Sequence, residues 1–363
     1  MSGGVDSSVA AALLAEQGHD VIGLSMQLYD QTEGQTAFGS CCSLDDLYDA
    51  RKVAAAIRIP HYILNFERQF NEQVVSNFVR EYAAGRTPLP CAHCNSDLKF
   101  ATLVDRAAGF GADAVATGHY ARVEYAAPRP AGEHTARSRQ GRYLLKRAVD
   151  PAKDQSYFLF SLTQDQLAHA VFPVGDRPKE SVRAYARARQ LPVADKADSQ
   201  EICFIPDHDY ARFVESHAPG AVHDGAIVDE GGRVLGRHDG IHHFTVGQRK
   251  GLGLGASRTH GGTPMYVLQL RPADGAVVVG PKASLERTTL TASQVNWIVE
   301  PPTGPVRAAA QIRHRHQAAP ATISALGPGR ADVVFDAPQL AVTPGQAVVF
   351  YDGDVVLGGG WID

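Results

Sequence analysis

The alternation of helical and extended patterns over about the first 125 residues constrains this chain more than any other feature. "SSVAAALLAEQG" (residues 7–18) is a run of good helix formers ending on Gly18, which suits a left-handed cap. "DVIGLSMQL" (20–28) is apolar and has the length of a buried strand. "SLDDLYDARKVAAAIRI" (43–59) opens with Ser43 and Asp46 in capping-box spacing and continues as an amphipathic helix. "HYILNF" (61–66) predicts a second strand, residues 67–84 another helix, and "DAVATGHYARV" (113–123) a third strand running into a polar turn. Strands separated by helices at this spacing predict an α/β domain, a parallel sheet covered on both faces. Ligands of such sheets gather beyond the carboxyl ends of the strands, where "SGGVDSS" (2–8) and "TGHY" (117–120) fall.

From about residue 208 the pattern changes. Short alternating runs are separated by hairpin signals: "DEGG" at 229–232, "ADGA" at 273–276 and "YDGD" at 351–354. They predict antiparallel β structure: a small central domain over 208–280 and a terminal β-barrel over 281–363, behind the α/β domain of 1–207. Residues 123–145 read as an exposed insertion between two strands, and there is no internal repeat.

With 363 residues, 44% of them hydrophobic, the chain can bury the cores of two or three domains. No apolar run approaches the roughly 20 residues of a membrane span, and no charged-then-apolar signal opens the chain. A soluble, cytoplasmic monomer is expected. Five cysteines, an odd number, do not make a disulfide framework; they fit a reducing compartment, where a cysteine serves as reagent or ligand. The net charge of −4 argues against indiscriminate nucleic-acid binding. Local basic runs, "RAYARARQ" (183–190) and "IRHRHQ" (312–317), fit either an RNA face or a solvated surface.

"SGGVDSS" precedes a helix directly, so unpaired backbone N–H groups and the positive end of the helix dipole meet whatever sits there. Gly3 and Gly4 let the main chain approach an anion, and Ser2, Ser7 and Ser8 add hydroxyls. No lysine follows as a P-loop requires, which counts against a kinase-like or GTPase-like reading. Asp6 is better placed to anchor Mg²⁺ than to meet phosphate, because carboxylates repel phosphate and bind the metal that bridges it.

The seven residues resemble the PP-loop of ATP pyrophosphatases, which cleave ATP between its α- and β-phosphates and adenylate a substrate oxygen. Further segments narrow the resemblance: "GLSMQLYD" (23–30), "AGRTPLPCAHCNSDLKF" (84–100), "ATGHYAR" (116–122), "KDQSYFL" (153–159), "DSQEICFIP" (198–206), "TVGQRKGLG" (245–253) and "TPGQAVVFYDGDVVLGGG" (343–360). In order and spacing they are similar to the tRNA-specific 2-thiouridylases over essentially the whole chain.

That resemblance implies an enzyme replacing the carbon-2 oxygen of a tRNA wobble uridine with sulfur, using ATP, Mg²⁺ and a persulfide donor protein, a cysteine desulfurase or sulfur-relay carrier. By position Cys203 matches the family's persulfide carrier and Cys94 its nucleophile. Taken alone, Cys203 between Ile202 and Phe204 reads as a small core residue. Cys91-x-x-Cys94 has ligand spacing, and with Cys203 could hold an iron–sulfur cluster, or zinc if a fourth ligand existed. Adjacent Cys41 and Cys42 read as loop or helix-entry residues. Some relatives carry an acid where Cys91 stands, so no base role transfers to that position.

The resemblance also assigns Ser2, Gly3, Gly4, Val5, Asp6, Ser7, Met26 and Gly118 to the nucleotide. It assigns Leu89, Pro90 and Cys91 to the target base, with Leu89 replacing the family's usual Asn. Lys153, Asp154, Gln155, Arg313 and His314 fall to tRNA; His314 stands where relatives often have Tyr and offers a weaker stacking platform. Relatives run an apolar strand into the loop's serine, whereas this chain starts at Met1. A misassigned start or truncation that removes a central strand is therefore expected. Two competing readings remain: another PP-loop adenylating enzyme, of the lysidine or amide-forming kind, and a non-enzymatic RNA-binding or iron–sulfur protein.

Overall fold

The computed structural model describes residues 1–28, 44–127, 141–198, 202–205, 209–218, 220, 223–254 and 263–363. Ser43, Cys41 and Cys42 lie outside them, as does the centre of the 123–145 insertion. Helix α1 (Val5–Glu16) follows the glycine loop directly, with Gly4 as an extended N-cap. Strand β1 (Gly23–Gln27), helix α2 (Leu44–Ala56) and strand β2 (His61–Asn65) come next, and β1 and β2 pair in parallel from Gly23 opposite His61 to Gln27 opposite Asn65. Helices α3 (Glu67–Phe70) and α4 (Ser76–Ala83) flank a π-helical turn, and a second π turn, Cys94–Phe100, lies between α5 (Pro90–His93) and α6 (Ala101–Gly109).

Strands β3 (Val115–Ala116), β4 (Ala121–Ala126) and β5 (Arg142–Arg147) follow, then α7 (Gln164–Ala168), β6 (Ala170–Val171), α8 (Lys179–Ala188) and α9 (Tyr210–His217). A capping box explains the start of α7: the Thr163 hydroxyl accepts from the Gln166 amide, and the Gln166 side chain accepts from the Thr163 amide. The parallel strands form two separate two-stranded sheets, β1–β2 and β3–β6, among the described residues. Met1 lies along β1: its ammonium donates to the Leu24 carbonyl and its carbonyl accepts from the Ser25 hydroxyl at 2.6 Å.

The expected third strand over 113–123 divides. Val115–Ala116 runs parallel to β6, whereas Ala121–Ala126 runs antiparallel to β5. The break falls at Gly118 and Tyr120, whose amide is taken by the Gln155 side chain at 2.9 Å rather than by a neighbouring strand.

The central domain holds β7 (Gly225–Asp229), β8 (Val234–His238), a 3₁₀ turn (Ile241–His243), β9 (Tyr266–Arg271) and β10 (Ala276–Gly280), in sheet order β8-β7-β10-β9. The expectation was wholly antiparallel; the β7–β10 pair is parallel. Two antiparallel hairpins lie side by side there, and their adjoining strands run the same way. Ile227, Leu235, Phe244, Val267, Val277 and Val279 form its core.

Six strands complete the chain: β11 (Glu286–Trp297), β12 (Val306–Gln311), β13 (Ala319–Ala325), β14 (Arg330–Leu340), β15 (Ala347–Asp352) and β16 (Val355–Ile362). They pair in the order β11-β14-β13-β12-β15-β16, and β16 returns to β11, closing an antiparallel barrel without edges. The β4–β5 hairpin joins this sheet at β16 through Val355 opposite Lys146. One core cluster unites Tyr157, Leu159, Phe160 and Leu162 with Ala347, Val349, Tyr351 and Val356 of the barrel, so barrel and N-terminal region are packed as one body. Among the described residues no helix is long and apolar enough to cross a membrane.

Candidate active site

Gly3 has φ +69°, and a side chain there would run into the backbone carbonyl of Asp46; only glycine fits. The Ser7 hydroxyl takes the Ser2 amide at 3.1 Å and also meets the Ser2 hydroxyl, which curls the loop over the start of α1. No side chain caps α1, so its first amides face the loop's concavity. Gly118 closes the opposite wall: a Cβ there would lie 2.5 Å from the Ser7 amide nitrogen. Two backbone segments thus converge on the helix N-terminus, an arrangement that fits a nucleotide phosphate. Val5 is buried at the start of α1, and Met26 is half-buried against an apolar cluster.

Asp6 is enclosed by cation and hydroxyl. Lys179 Nζ donates to its two oxygens at 2.7 and 2.8 Å, and the Tyr120 hydroxyl donates at 2.8 Å. The same ammonium reaches Asp198 at 2.8 Å, and Asp198 also receives Lys153 at 2.7 Å and Arg183 at 2.7 Å. Burial pushes the Asp198 carboxyl up, but hydrogen bonds from Lys153 and Lys179 outweigh it and hold the group at about 2. Asp6 is the carboxylate here that would hold a Mg²⁺ bridging the phosphates, and in this structure its oxygens are held by Lys179 and Tyr120. His119, beside Gly118, accepts or donates at Thr117 Oγ1 (2.8 Å); burial, then Lys99, lowers its pKa to about 3, so it is neutral at physiological pH.

Cys94 is buried in an apolar cluster with Phe70, Phe78, Leu98 and Phe204, and half-exposed Cys203 packs on that same cluster. Met26 from the end of β1 joins them. Cys91 is exposed and is not part of the cluster. Between the two cysteines of this turn, the His93 ring stacks on Trp361 of the barrel, with centroids 4.4 Å apart and planes 8° apart. The barrel also grips the preceding segment: Gln346 Nε2 donates to the Thr87 and Pro88 carbonyls at 3.1 and 3.3 Å. Leu89 packs on the shared core, and Pro90, buried, begins α5.

The residues assigned to tRNA fall into one neighbourhood. The His314 ring lies 4.4 Å from Phe158, just beyond Lys153–Gln155. Arg147 donates to Asp154 at 2.8 Å and to Gln311 at 3.1 Å, and Gln311 holds the Arg313 and His314 carbonyls at 3.1 and 2.8 Å. Within this group the Asp154 carboxylate and the Gln155 amide oxygen are engaged in scaffold hydrogen bonds, and Arg313 donates to the Leu340 carbonyl at 2.9 Å.

Residues 1–207 match the family described as the tRNA methyl transferase HUP domain, residues 211–281 its PRC-barrel domain, and residues 287–362 the aminomethyltransferase β-barrel domain. The tRNA-specific 2-thiouridylase MnmA of Geotalea uraniireducens (strain Rf4) is 52% identical over 368 residues, spanning 100% of this chain and 93% of that protein. The chain belongs to the tRNA-specific 2-thiouridylase family. The family's MnmA of Solibacter usitatus (strain Ellin6076) is likewise 52% identical over 380 residues, spanning 100% of this chain and 98% of its own. NMN synthetase from Francisella tularensis overlaps with a TM-score of 0.32 at 16% identity, over 54% of this chain and 63% of that one, too weak a likeness to bear on the fold.

For a 2-thiouridylase, the sequence reading passed over Lys179, Asp198, Tyr120, His119 and Gln346. Lys179 sits far from Asp6 in the chain and nothing in its local context marks it, whereas Asp198 opens the "DSQEICFIP" segment and was in view without a role. Tyr120 and His119 were within reach, because both fall in the "TGHY" segment that contains Gly118.

Proposed function

We propose that this chain makes 2-thiouridine in tRNA by adenylation followed by sulfur transfer. ATP bound over the glycine loop gives up its α-phosphoryl group to the carbon-2 oxygen of the wobble uridine, and pyrophosphate leaves. The oxygen, a very poor leaving group as oxide, becomes part of AMP. The terminal sulfur of a persulfide on Cys203 attacks carbon 2 and expels AMP, forming a carbon–sulfur bond and a disulfide from the base to Cys203. Cys94 thiolate then attacks Cys203 Sγ, releasing the thiocarbonyl and leaving a Cys94–Cys203 disulfide. A cellular thiol reductant resets the pair, and a persulfide donor protein, a desulfurase or relay carrier, reloads Cys203.

The observation that carries this reading is the sharing of one apolar cluster by Cys94 and Cys203, on segments distant in sequence, in a chain of the 2-thiouridylase family. Neither a lysidine-type nor an amide-forming synthetase calls for that pair. The test is anaerobic turnover of iron-free protein with tRNA, ATP and a persulfide donor, scoring thiouridine and AMP. Thiouridine formed in step with AMP is expected. Equal product without adenine nucleotide would overturn the adenylation route, and product only from iron-loaded protein would favour a cluster on Cys91, Cys94 and Cys203.

A further inference from the structure

We propose that Glu215, His242 and His243 form a binding site for a divalent transition metal of the zinc class, clasping α9 to the 3₁₀ turn of the central domain. Their three ligand atoms all lie within 4.8 Å of one another. Glu215 Oε1 is 3.1 Å from His242 Nε2 and 3.2 Å from His243 Nε2. A tetrahedral zinc ion with bonds of about 2.0–2.1 Å places neighbouring ligand atoms about 3.3 Å apart. Both nitrogens therefore already stand close to the ligand spacing of a tetrahedral site. Two imidazoles with one carboxylate make a donor set that suits zinc and its neighbours rather than magnesium or calcium.

Burial divides the three ligands into an anchor and an entrance. His242 is 2% exposed, held in the 3₁₀ turn beside Phe244 of the central core, whereas the side chains of His243 and Glu215 are 39% and 44% exposed. Metal can arrive from the solvent side and keep water in its remaining coordination position. The two elements it would join are already in register, since the Tyr210 hydroxyl of α9 donates to the His243 carbonyl at 3.3 Å. Helix α9 also sets Phe213 against Phe204, the residue after Cys203, with ring centroids 5.3 Å apart. A metal clasp would thus stiffen the wall behind the half-exposed cysteine, although the site itself is independent of the reaction proposed above.

The test titrates Co²⁺ alone into the chelator-stripped full-length chain and reads visible absorption and the thermal midpoint. One equivalent is expected to give d–d bands with no sulfur-to-cobalt charge transfer, to be displaced by Zn²⁺, and to raise the midpoint. Glu215→Gln and His243→Ala alter part-exposed side chains, and each is expected to weaken binding by at least about tenfold while leaving the metal-free melt in place. Absent bands, or bands that survive both substitutions, would show that the three groups merely share hydrogen bonds. Charge-transfer absorption lost in Cys94→Ser would place the ion on the thiols and equally overturn the assignment.

Discussion

Lys179 Nζ lies 2.7 and 2.8 Å from the two carboxylate oxygens of Asp6 and 2.8 Å from Asp198, so one ammonium ties the glycine loop to the segment leading into Cys203. With its side chain 10% exposed, it is well shielded from solvent. Removing it leaves two carboxylates facing each other with less cation between them. Lys179→Met is expected to cost about 3 kcal/mol in urea denaturation. The double variant Asp6→Asn, Lys179→Met should recover part of that loss, because no uncompensated charge remains at Asp6. Strict additivity of the two single changes would show that the pair does not interact.

The low carboxyl pKa of Asp198 makes a pH prediction with a definite sign. The group sits at about 2 in the folded chain against an ordinary 3.8, so the unfolded chain binds the proton more readily. Its stabilisation is present above pH 4 and is lost as pH falls through 2, amounting to about 1 kcal/mol once solvent screening of this part-exposed group is allowed for. Asp198→Asn should flatten this part of the stability–pH curve. An unchanged slope between pH 4 and pH 2, measured by denaturant titration, would count against the ion-pair hub.

Gly118 faces the loop too closely for any side chain, since a Cβ would sit 2.5 Å from the Ser7 amide. Gly118→Ala must push the two walls apart, at a cost of about 1–3 kcal/mol. Calorimetric titration with a non-hydrolysable ATP analogue should show affinity reduced by about tenfold or more, with tRNA affinity retained. Full nucleotide affinity in the variant would remove this residue from the nucleotide wall.

The two cysteines act after adenylation in the proposed sequence. Cys94→Ser and Cys203→Ser should each abolish thiouridine while retaining a single turnover of pyrophosphate release when tRNA and ATP are supplied. Loss of pyrophosphate release in both variants would mean that the thiols act at the first step instead.

Neutral His119 gives the last prediction. Burial, with Lys99 beside it, keeps its pKa near 3, so it stays an uncharged imidazole and does not change protonation state between pH 5 and 9. A rate limb in that range should persist in His119→Gln; its disappearance would assign the limb to this imidazole.

Much of the glycine-loop half of the site was legible because it is local. A glycine pair, a following helix of good formers and a second glycine in "TGHY" are dictated by backbone freedom and helix ends, which neighbouring residues determine. That Cys94 and Cys203 share one cluster was foreseeable only through the resemblance, since Cys203 between Ile202 and Phe204 looks like core, and it is in fact partly so. The division of residues 113–123 was missed because a continuous apolar run does not disclose that its halves pair with different sheets.

From the sequence alone came the first helix–strand units, the loop that opens α1, and a terminal antiparallel barrel, while the change to β structure expected at about residue 208 comes only after helix α9. Tertiary structure decided which distant groups meet: Lys179 with Asp6, Trp361 with His93, and Glu215 with the paired histidines, and it placed Cys203 and Cys94 in one apolar cluster. The reason is physical. Periodicity and capping act over a few residues and fix the buried face of each element, whereas the partner on that face is chosen by packing the whole chain at once.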